Sequence, residues 1–291
     1  MNNNIGCIIV TYNPDEERFE AVLKQATRYC DKILIIDNKS LNSNFIEKIS
    51  ENNPTIKLKK LDKNYGIGKA LNLGLEELMY SYDYILTLDQ DSILLENISN
   101  VIYNANLMFS GYKIGIISLN MHNIQSKKDY FIEINYPIIS GSLINSELFK
   151  KGLKYREEFF MDQIDFDFDF NVLRMGYKII TTTTKMLDHR LGLIVNNSKK
   201  PIEPDWRLYL MCRNSFILLR ERKINLSIFI WQLVGWFIND LLNGKPLTKL
   251  YKYFIIYSFG IKDAINYYMD FPIENKSLEK IESLLSKTKE H

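Results

Sequence analysis

Cysteine is scarce in this sequence and poorly arranged for a framework. Cys7, Cys30 and Cys212 are odd in number, widely spaced and without a CxxC pair. Neither a disulfide scaffold nor a thiolate zinc site is encoded, and a reducing compartment fits best. An excess of one charge is missing too. The 37 basic and 35 acidic side chains leave a net charge of +2, far from the basic surplus of a nucleic-acid binder. No uncharged apolar run reaches the roughly 20 residues that span a bilayer; the longest covers residues 225–239. The opening Met1-Asn2-Asn3-Asn4 lacks the basic, apolar and small-residue pattern of a secretory signal, so a cytoplasmic protein is expected. Internal repeats and low-complexity segments are absent. The remaining character, 46% hydrophobic and 25% charged over 291 residues, is that of a globular chain with a substantial core in one large domain or two ordinary ones.

Short β-branched and aliphatic runs at 5–11 and 32–36 have the composition of strands buried on both faces of a parallel sheet. Between them, Phe19, Val22, Leu23 and Ala26 recur at helical spacing, which makes a β-α-β unit. The pattern continues with a strand at 56–61, a helix at 68–80 and a strand at 84–88. This alternation predicts a doubly wound, mostly parallel α/β sheet flanked by helices. Ligands of such sheets bind at the carboxyl ends of the strands. Three polar clusters follow those ends: Thr11-Tyr12-Asn13-Pro14, Asp37-Asn38-Lys39-Ser40 and Asp89-Gln90-Asp91-Ser92.

Asp89-Gln90-Asp91 sets two carboxylates one residue apart at a strand end, where they can hold one hard cation, Mg²⁺ or Mn²⁺, together with phosphate oxygens. A turn with solvated acids is the competing reading. Asp37 can accept from a ribose hydroxyl or a base N–H, or can close an Asx turn. The loop Asn64-Tyr65-Gly66-Ile67-Gly68-Lys69-Ala70 has Gly74 as its next glycine, so it is neither GxGxxG nor GxxxxGK[ST], and a nicotinamide oxidoreductase is disfavoured. It can still aim Lys69 and a helix N-terminus at a diphosphate, or be a plain turn. The acid and aromatic alternation from Asp165 to Phe170 reads as a half-buried strand, whereas a helix would put Asp162, Asp165 and Asp169 on one face. One of these carboxylates is a candidate general base, whereas Asp167 is expected to be solvated or capping. Of three histidines, only His189, in Asp188-His189-Arg190 after a strand-like run at 178–184, has suggestive neighbours.

In order along the chain, these residues resemble the inverting family 2 glycosyltransferases with a GT-A fold, and most of all their rhamnosyltransferase-like branch. The similar segments are Ile9-Val10-Thr11-Tyr12-Asn13-Pro14, Ile36-Asp37-Asn38-Lys39-Ser40, Asn64-Tyr65-Gly66-Ile67-Gly68 with Asn72 and Gly74, and Leu88-Asp89-Gln90-Asp91-Ser92. Ser140-Gly141-Ser142, Phe160-Met161-Asp162-Gln163-Ile164-Asp165, His189-Arg190-Leu191-Gly192 and Arg213-Asn214 follow. The resemblance covers about residues 5 to 220. It implies that Thr11, Tyr12, Asn13, Asp37, Asn64, Gly68, Lys69, Asn72, Asp89 and Gln90 surround the nucleotide-sugar. Asp91 would be the principal metal ligand, with Asp89 and His189 beside it. Ser140, Gly141, Ser142 and Arg213 would shape the sugar or acceptor side. Asp162 or Asp165 would be the base, Asp162 being favoured although many relatives carry Glu-Asp where this chain has Asp162-Gln163. Under the same resemblance the acidic stretch is helical.

From about residue 204 the texture turns to long aromatic-rich helices, so residues 1–220 are expected to form the catalytic domain and 221–291 a helical C-terminal extension. Residues 224–242 hold two tryptophans and 243–262 four lysines without an acid. That composition suits a helix pair on an anionic membrane surface, and equally a packed subdomain or homodimer interface. The expected activity is metal-dependent, inverting transfer of a sugar, L-rhamnose from dTDP-rhamnose, to a saccharide acceptor, lipid-linked, in cell-surface polysaccharide synthesis. The enzyme would work in the cytoplasm or on the inner face of the cell membrane. UDP-hexose or UDP-galactofuranose transfer, or sugar-nucleotide binding without catalysis, are the alternatives.

Overall fold

The computed structural model describes residues 4–124, 130–189, 205–242 and 250–267. The chain divides into two compact units, Met1–Phe160 with Ile164–Arg190, and Met161–Gln163 with Leu191–His291.

The first unit runs β1 (Ile5–Thr11), α1 (Glu16–Tyr29), β2 (Lys32–Asp37), α2 (Ser43–Glu51), β3 (Ile56–Lys60), α3 (Ile67–Leu78), β4 (Tyr84–Asp89) and β5 (Ile93–Leu94). It continues with α4 (Ser99–Met108), β6 (Ile114–Ser118), β7 (Phe131–Glu133), β8 (Ser142–Asn145), α5 (Glu147–Lys150), α6 (Ile164–Arg174), β9 (Lys178–Thr182) and β10 (Leu187–Asp188). Eight strands form one sheet in the order β3-β2-β1-β4-β8-β6-β9-β7, while β10 pairs with β5 separately. β1, β2, β3 and β4 are mutually parallel, but β8 runs antiparallel between β4 and β6, and β7 antiparallel on β9. The sheet is thus more mixed than a purely β-α-β reading implies.

The aliphatic runs form strands because both sheet faces are covered: Ile8, Ile9, Ile33, Leu34, Ile35, Ile36, Ile85 and Leu86 have no exposed surface. α1 begins where the Asp15 carboxylate accepts the Arg18 N–H at 2.9 Å, satisfying a free helix-end donor. It buries Phe19, Val22, Leu23 and Ala26, each large side chain contributing about 1.5–3 kcal/mol of apolar burial. Register aligns Thr11 with Asp37 and Val10 with Asp89. Parallel pairing therefore brings the polar ends of β1, β2 and β4 to one edge of the sheet.

The acidic stretch is a helix, as the resemblance implied, but α6 starts at Ile164, so Asp162 stands on the turn before it rather than on one face with Asp165 and Asp169. The expectation for Asp167 fails: it is buried and sits 3.5 Å from the Arg156 guanidinium. Asp169 is buried as well, and its Oδ2 has no hydrogen-bond partner. Burial, with the nearby Asp165 charge, raises its pKa well above the carboxylate range.

In the second unit α7 (Asp205–Arg220), α8 (Leu226–Leu242) and α9 (Leu250–Tyr267) pack together. The Tyr209 hydroxyl donates to Asp263 at 2.5 Å, Ser215 to Gln232 at 2.8 Å, and Tyr257 to the Leu233 carbonyl at 2.9 Å. The expected helix start at 243 lies outside the described residues, as do Arg190, Leu191 and Gly192. No helix among the described residues is long and apolar enough to cross a membrane.

Candidate functional site

The edge of the sheet is wired from strand to strand. Asp37 is fully buried and accepts from the Thr11 hydroxyl at 2.8 Å, from the Ser40 hydroxyl, and from the Ser40 N–H at 3.1 Å. Asn13 is linked in: its N–H donates to Ser40 Oγ at 2.9 Å and its Oδ1 accepts the Leu41 N–H at 2.7 Å. Gln90 exchanges a pair of bonds with Tyr12, accepting its N–H at 2.8 Å and donating to its carbonyl at 3.3 Å. Thr11, Tyr12, Asn13, Asp37, Asp89 and Gln90 are thereby brought together.

Beyond that edge lies a cluster of two carboxylates and an imidazole. Asp89, Asp91 and His189 each offer one ligand atom, and those atoms lie within 4.8 Å of one another. His189 Nδ1 is 3.4 Å from Asp91 Oδ1 and 4.0 Å from Asp89 Oδ2. The acids are 45% and 32% exposed and the imidazole 10%, so the cluster is open on its carboxylate side and walled on its histidine side. Burial disfavours the imidazolium, yet the Asp91 hydrogen bond and the Asp89 and Asp91 charges outweigh it and hold the His189 pKa above 6.5. A hydrogen-bond chain supports the cluster from behind: His189 Nδ1 to Ser92 Oγ at 2.7 Å, Ser92 Oγ to Ser140 Oγ at 2.6 Å, and the Asp89 N–H to Ser140 Oγ at 2.9 Å. Ser140 thus serves the acidic turn directly. Gly141 beside it has φ +80°, and a Cβ there would meet Leu187 at 2.8 Å. Ser142 turns away to the Ile138 carbonyl at 2.8 Å. The donor set of two hard carboxylates and one imidazole fits Mn²⁺ well and Mg²⁺ acceptably.

The glycine loop packs closely on residues 155–160. Gly66 has φ +84°, and a Cβ there would lie 2.5 Å from the Phe160 carbonyl oxygen; one at Gly68 would lie 2.8 Å from that of Arg156. The Ile67 N–H, at the start of α3, is taken by the Phe160 carbonyl at 2.7 Å. Asn72 is buried and grips the Tyr155 backbone through both its amide groups at 2.9 Å; it also donates to Glu157. Lys69 pairs with Glu157 at 3.1 Å, and Asn64 closes an Asx turn on the Gly66 N–H at 2.9 Å. Gly68, Lys69 and Asn72 therefore brace residues 155–160, which lead into the acidic turn.

Asp162 belongs to the second unit. Arg207 Nε lies 3.1 Å from both carboxylate oxygens and Nη2 3.0 Å from Oδ1, a forked pairing. Burial pushes the Asp162 pKa up, and the Arg207 charge offsets only part of this, leaving it above 3.8. The Asn214 amide holds the Met161 and Asp162 carbonyls at 2.8 and 2.9 Å, and Arg213 Nε in turn donates to Asn214 Oδ1 at 2.9 Å. Arg213 is buried and orients Asn214. Phe160, Asp162 and Gln163 all have φ near +60°. Non-glycine residues pay for that conformation, and it persists where surroundings over-determine it, often at functional positions. Sequence reasoning missed Arg18 and Arg207, neither of which carries a local motif.

A parallel-sheet edge bearing an acidic triplet and a histidine, on this strand order, is the arrangement of a GT-A-type fold. In this chain, residues 7–135 match the family pattern of Glycosyl transferase family 2. It is similar to the dTDP-rhamnosyl transferase RfbF of Shigella flexneri, 26% identical over 266 residues that span 83% of this chain and 88% of the relative. Among solved structures it shares the fold of the mannosyltransferase PcManGT from Pyrobaculum calidifontis, in complex with GDP-Man and Mn²⁺, at TM-score 0.55 and 12% identity over 98% of this chain and 81% of that one. The fold of TarS from S. aureus is also shared, at TM-score 0.52 and 14% identity over 90% and 80% of the two chains.

Proposed function

We propose that the chain is a metal-dependent, inverting rhamnosyltransferase of polysaccharide synthesis, taking dTDP-L-rhamnose as donor. The observation that carries the catalytic reading is the Asp89, Asp91 and His189 cluster at the carboxyl edge of the sheet. The likeness to the Shigella enzyme over most of both chains supports the donor, and the Mn²⁺ named with the Pyrobaculum relative supports the cation. Asp89, Asp91 and His189 would hold Mn²⁺ or Mg²⁺, which when bound offsets the charge that grows on the departing diphosphate. Thr11, Asn13, Asp37 and Gln90 fix the loop ends around the nucleotide. Asp162 is the base: its carboxylate takes the proton of an acceptor hydroxyl as that oxygen bonds to the anomeric carbon and the bond to the diphosphate breaks on the opposite face. Direct displacement of this kind inverts the anomeric configuration, as in inverting glycosidases, where a base activates water across the ring. Burial raises the Asp162 pKa and makes it a stronger base than an exposed carboxylate.

The acceptor is proposed to be a lipid-linked saccharide. In support, α8 exposes Leu226, Ile230, Trp231, Val234, Ile238 and Leu242, an apolar stripe that would sit in an anionic membrane surface. Nucleotide release from a panel of dTDP- and UDP-sugars, with Mn²⁺ and membrane glycolipid extract, tests the whole reading. Turnover of dTDP-rhamnose that needs metal and Asp91 is expected; metal-dependent binding of every donor without turnover would overturn it.

A further inference from the structure

Arg18 is the least anticipated residue near the cluster. It lies in the first turn of α1, far in sequence from Asp91 and Asp188, yet its side chain is largely buried and every contact it makes ends beside a candidate metal ligand. Nε donates to the Asp91 carbonyl at 2.8 Å, Nη2 to the Asp188 carbonyl at 2.7 Å, and Nη1 to the Asp188 carboxylate at 2.8 Å. Asp91 is itself a candidate ligand, and Asp188 immediately precedes His189.

The strands that carry these ligands need such help. β5 and β10 pair through Leu187 with Leu94 and Asp188 with Ile93, extended by the Leu95 N–H to the Met186 carbonyl at 2.9 Å, and a ladder this short is not stable by itself. It ends just before His189 on one side and just after Ser92 on the other. Behind the cluster the side-chain chain through Ser92 and Ser140 joins the two segments; Arg18 adds a link between their backbone carbonyls, which would otherwise turn to water. A guanidinium is suited to the gap because its planar fork presents several donors at fixed angles and keeps its charge.

We propose that Arg18 is a positioning residue that clamps the His189 strand to the Asp91 turn and so preorganises the metal site. The inference rests on the cluster being a metal site, and it concerns the chain's own geometry rather than any chemical step. Outer-shell partners of metal ligands are commonly worth 10–100-fold in affinity. Arg18 would act through the backbone of both ligand segments at once. Lysine at that position can reach one carbonyl, not both.

Mn²⁺ affinity of the full chain, read by electron paramagnetic resonance of the free ion without donor present, tests this beside dTDP affinity in EDTA. Folding is checked by circular dichroism. For Arg18→Met the expected result is Mn²⁺ binding about 10–100-fold weaker, with dTDP affinity in EDTA unchanged. Arg18→Lys should fall between that and wild type. Folded Arg18→Met that binds Mn²⁺ within about twofold of wild type would overturn the clamp while leaving the metal site standing. Absence of Mn²⁺ binding in wild type would instead sink the metal reading and the clamp with it. Should Arg18→Met fail to fold, Arg18→Lys decides alone: affinity equal to wild type overturns the proposal.

Discussion

Arg207→Met isolates the electrostatics of the proposed base. Asp162 is 14% exposed and Arg207 35%, so the pair is poorly hydrated on the acid side and partly screened on the basic side. A guanidinium at hydrogen-bond distance usually lowers a carboxylate pKa by 1–3 units; with Arg207 one-third exposed, the lower part of that range applies, about 1–2 units or roughly 1.4–2.7 kcal/mol. Removing Arg207 leaves burial unopposed, and the acid limb of kcat/KM should move by about 1–2 pH units to higher pH. Asp162→Asn should abolish the limb along with turnover. Stability gives an independent check. An acid whose folded pKa is raised stabilises the fold below its unfolded pKa and loses that contribution as pH rises through the folded value. Arg207→Met should therefore lose more melting temperature relative to wild type at pH 7 than at pH 4, and Asp162→Asn in the same background should recover it. An Arg207→Met enzyme whose acid limb stays in place would refute Asp162 as the titrating base and turn attention to Asp165.

Asp91→Ala should cost turnover by 10²-fold or more on the order of other lost electrostatic stabilisers, and chelation with EDTA should do the same to wild type; equal activity with and without metal would contradict the cluster's role. Gly66→Ala should destabilise the chain by about 1–3 kcal/mol in urea titration, because its φ of +84° and the Phe160 carbonyl 2.5 Å from the new Cβ both oppose a side chain. Val234→Lys with Ile238→Lys, placed within the exposed stripe of α8, should weaken binding to anionic vesicles in flotation. If instead wild type sediments as a dimer, ignores vesicles, and the variant sediments as a monomer, the stripe is a subunit interface.

The parts of this architecture that repeat with a short period were legible in the sequence. Both-face burial of β1, β2 and β4 follows from their unbroken aliphatic runs, and once they pair in parallel the ends at Thr11, Asp37 and Asp89 must converge. The helix against strand ambiguity at 164–174 was not resolvable locally, since Asp167 and Asp169 are buried and blur either pattern. Gly66 and Gly68 were visible as glycines, but the reason for them, close approach of residues 156–160, is a contact with a segment some 90 residues away. Arg18 and Arg207 left no trace at all, although Asn214 stood in the Arg213-Asn214 pair. The two arginines' partners lie 73 and 45 residues off, and a lone arginine in a helix looks the same whether it holds an active turn or faces water.

The assignment of Met161–Gln163 to the second unit separates two inheritances. Among the described residues, those that would grip the donor's cation are encoded before residue 190, whereas the arginine and asparagine that hold the proposed base are encoded in 205–214. A chimaera joined near residue 190 would keep one parent's appetite for nucleotide-sugar and take the other parent's setting for the proton acceptor. Exchange of tails between such enzymes would thus change the surroundings of the base while leaving the cation cluster as it was.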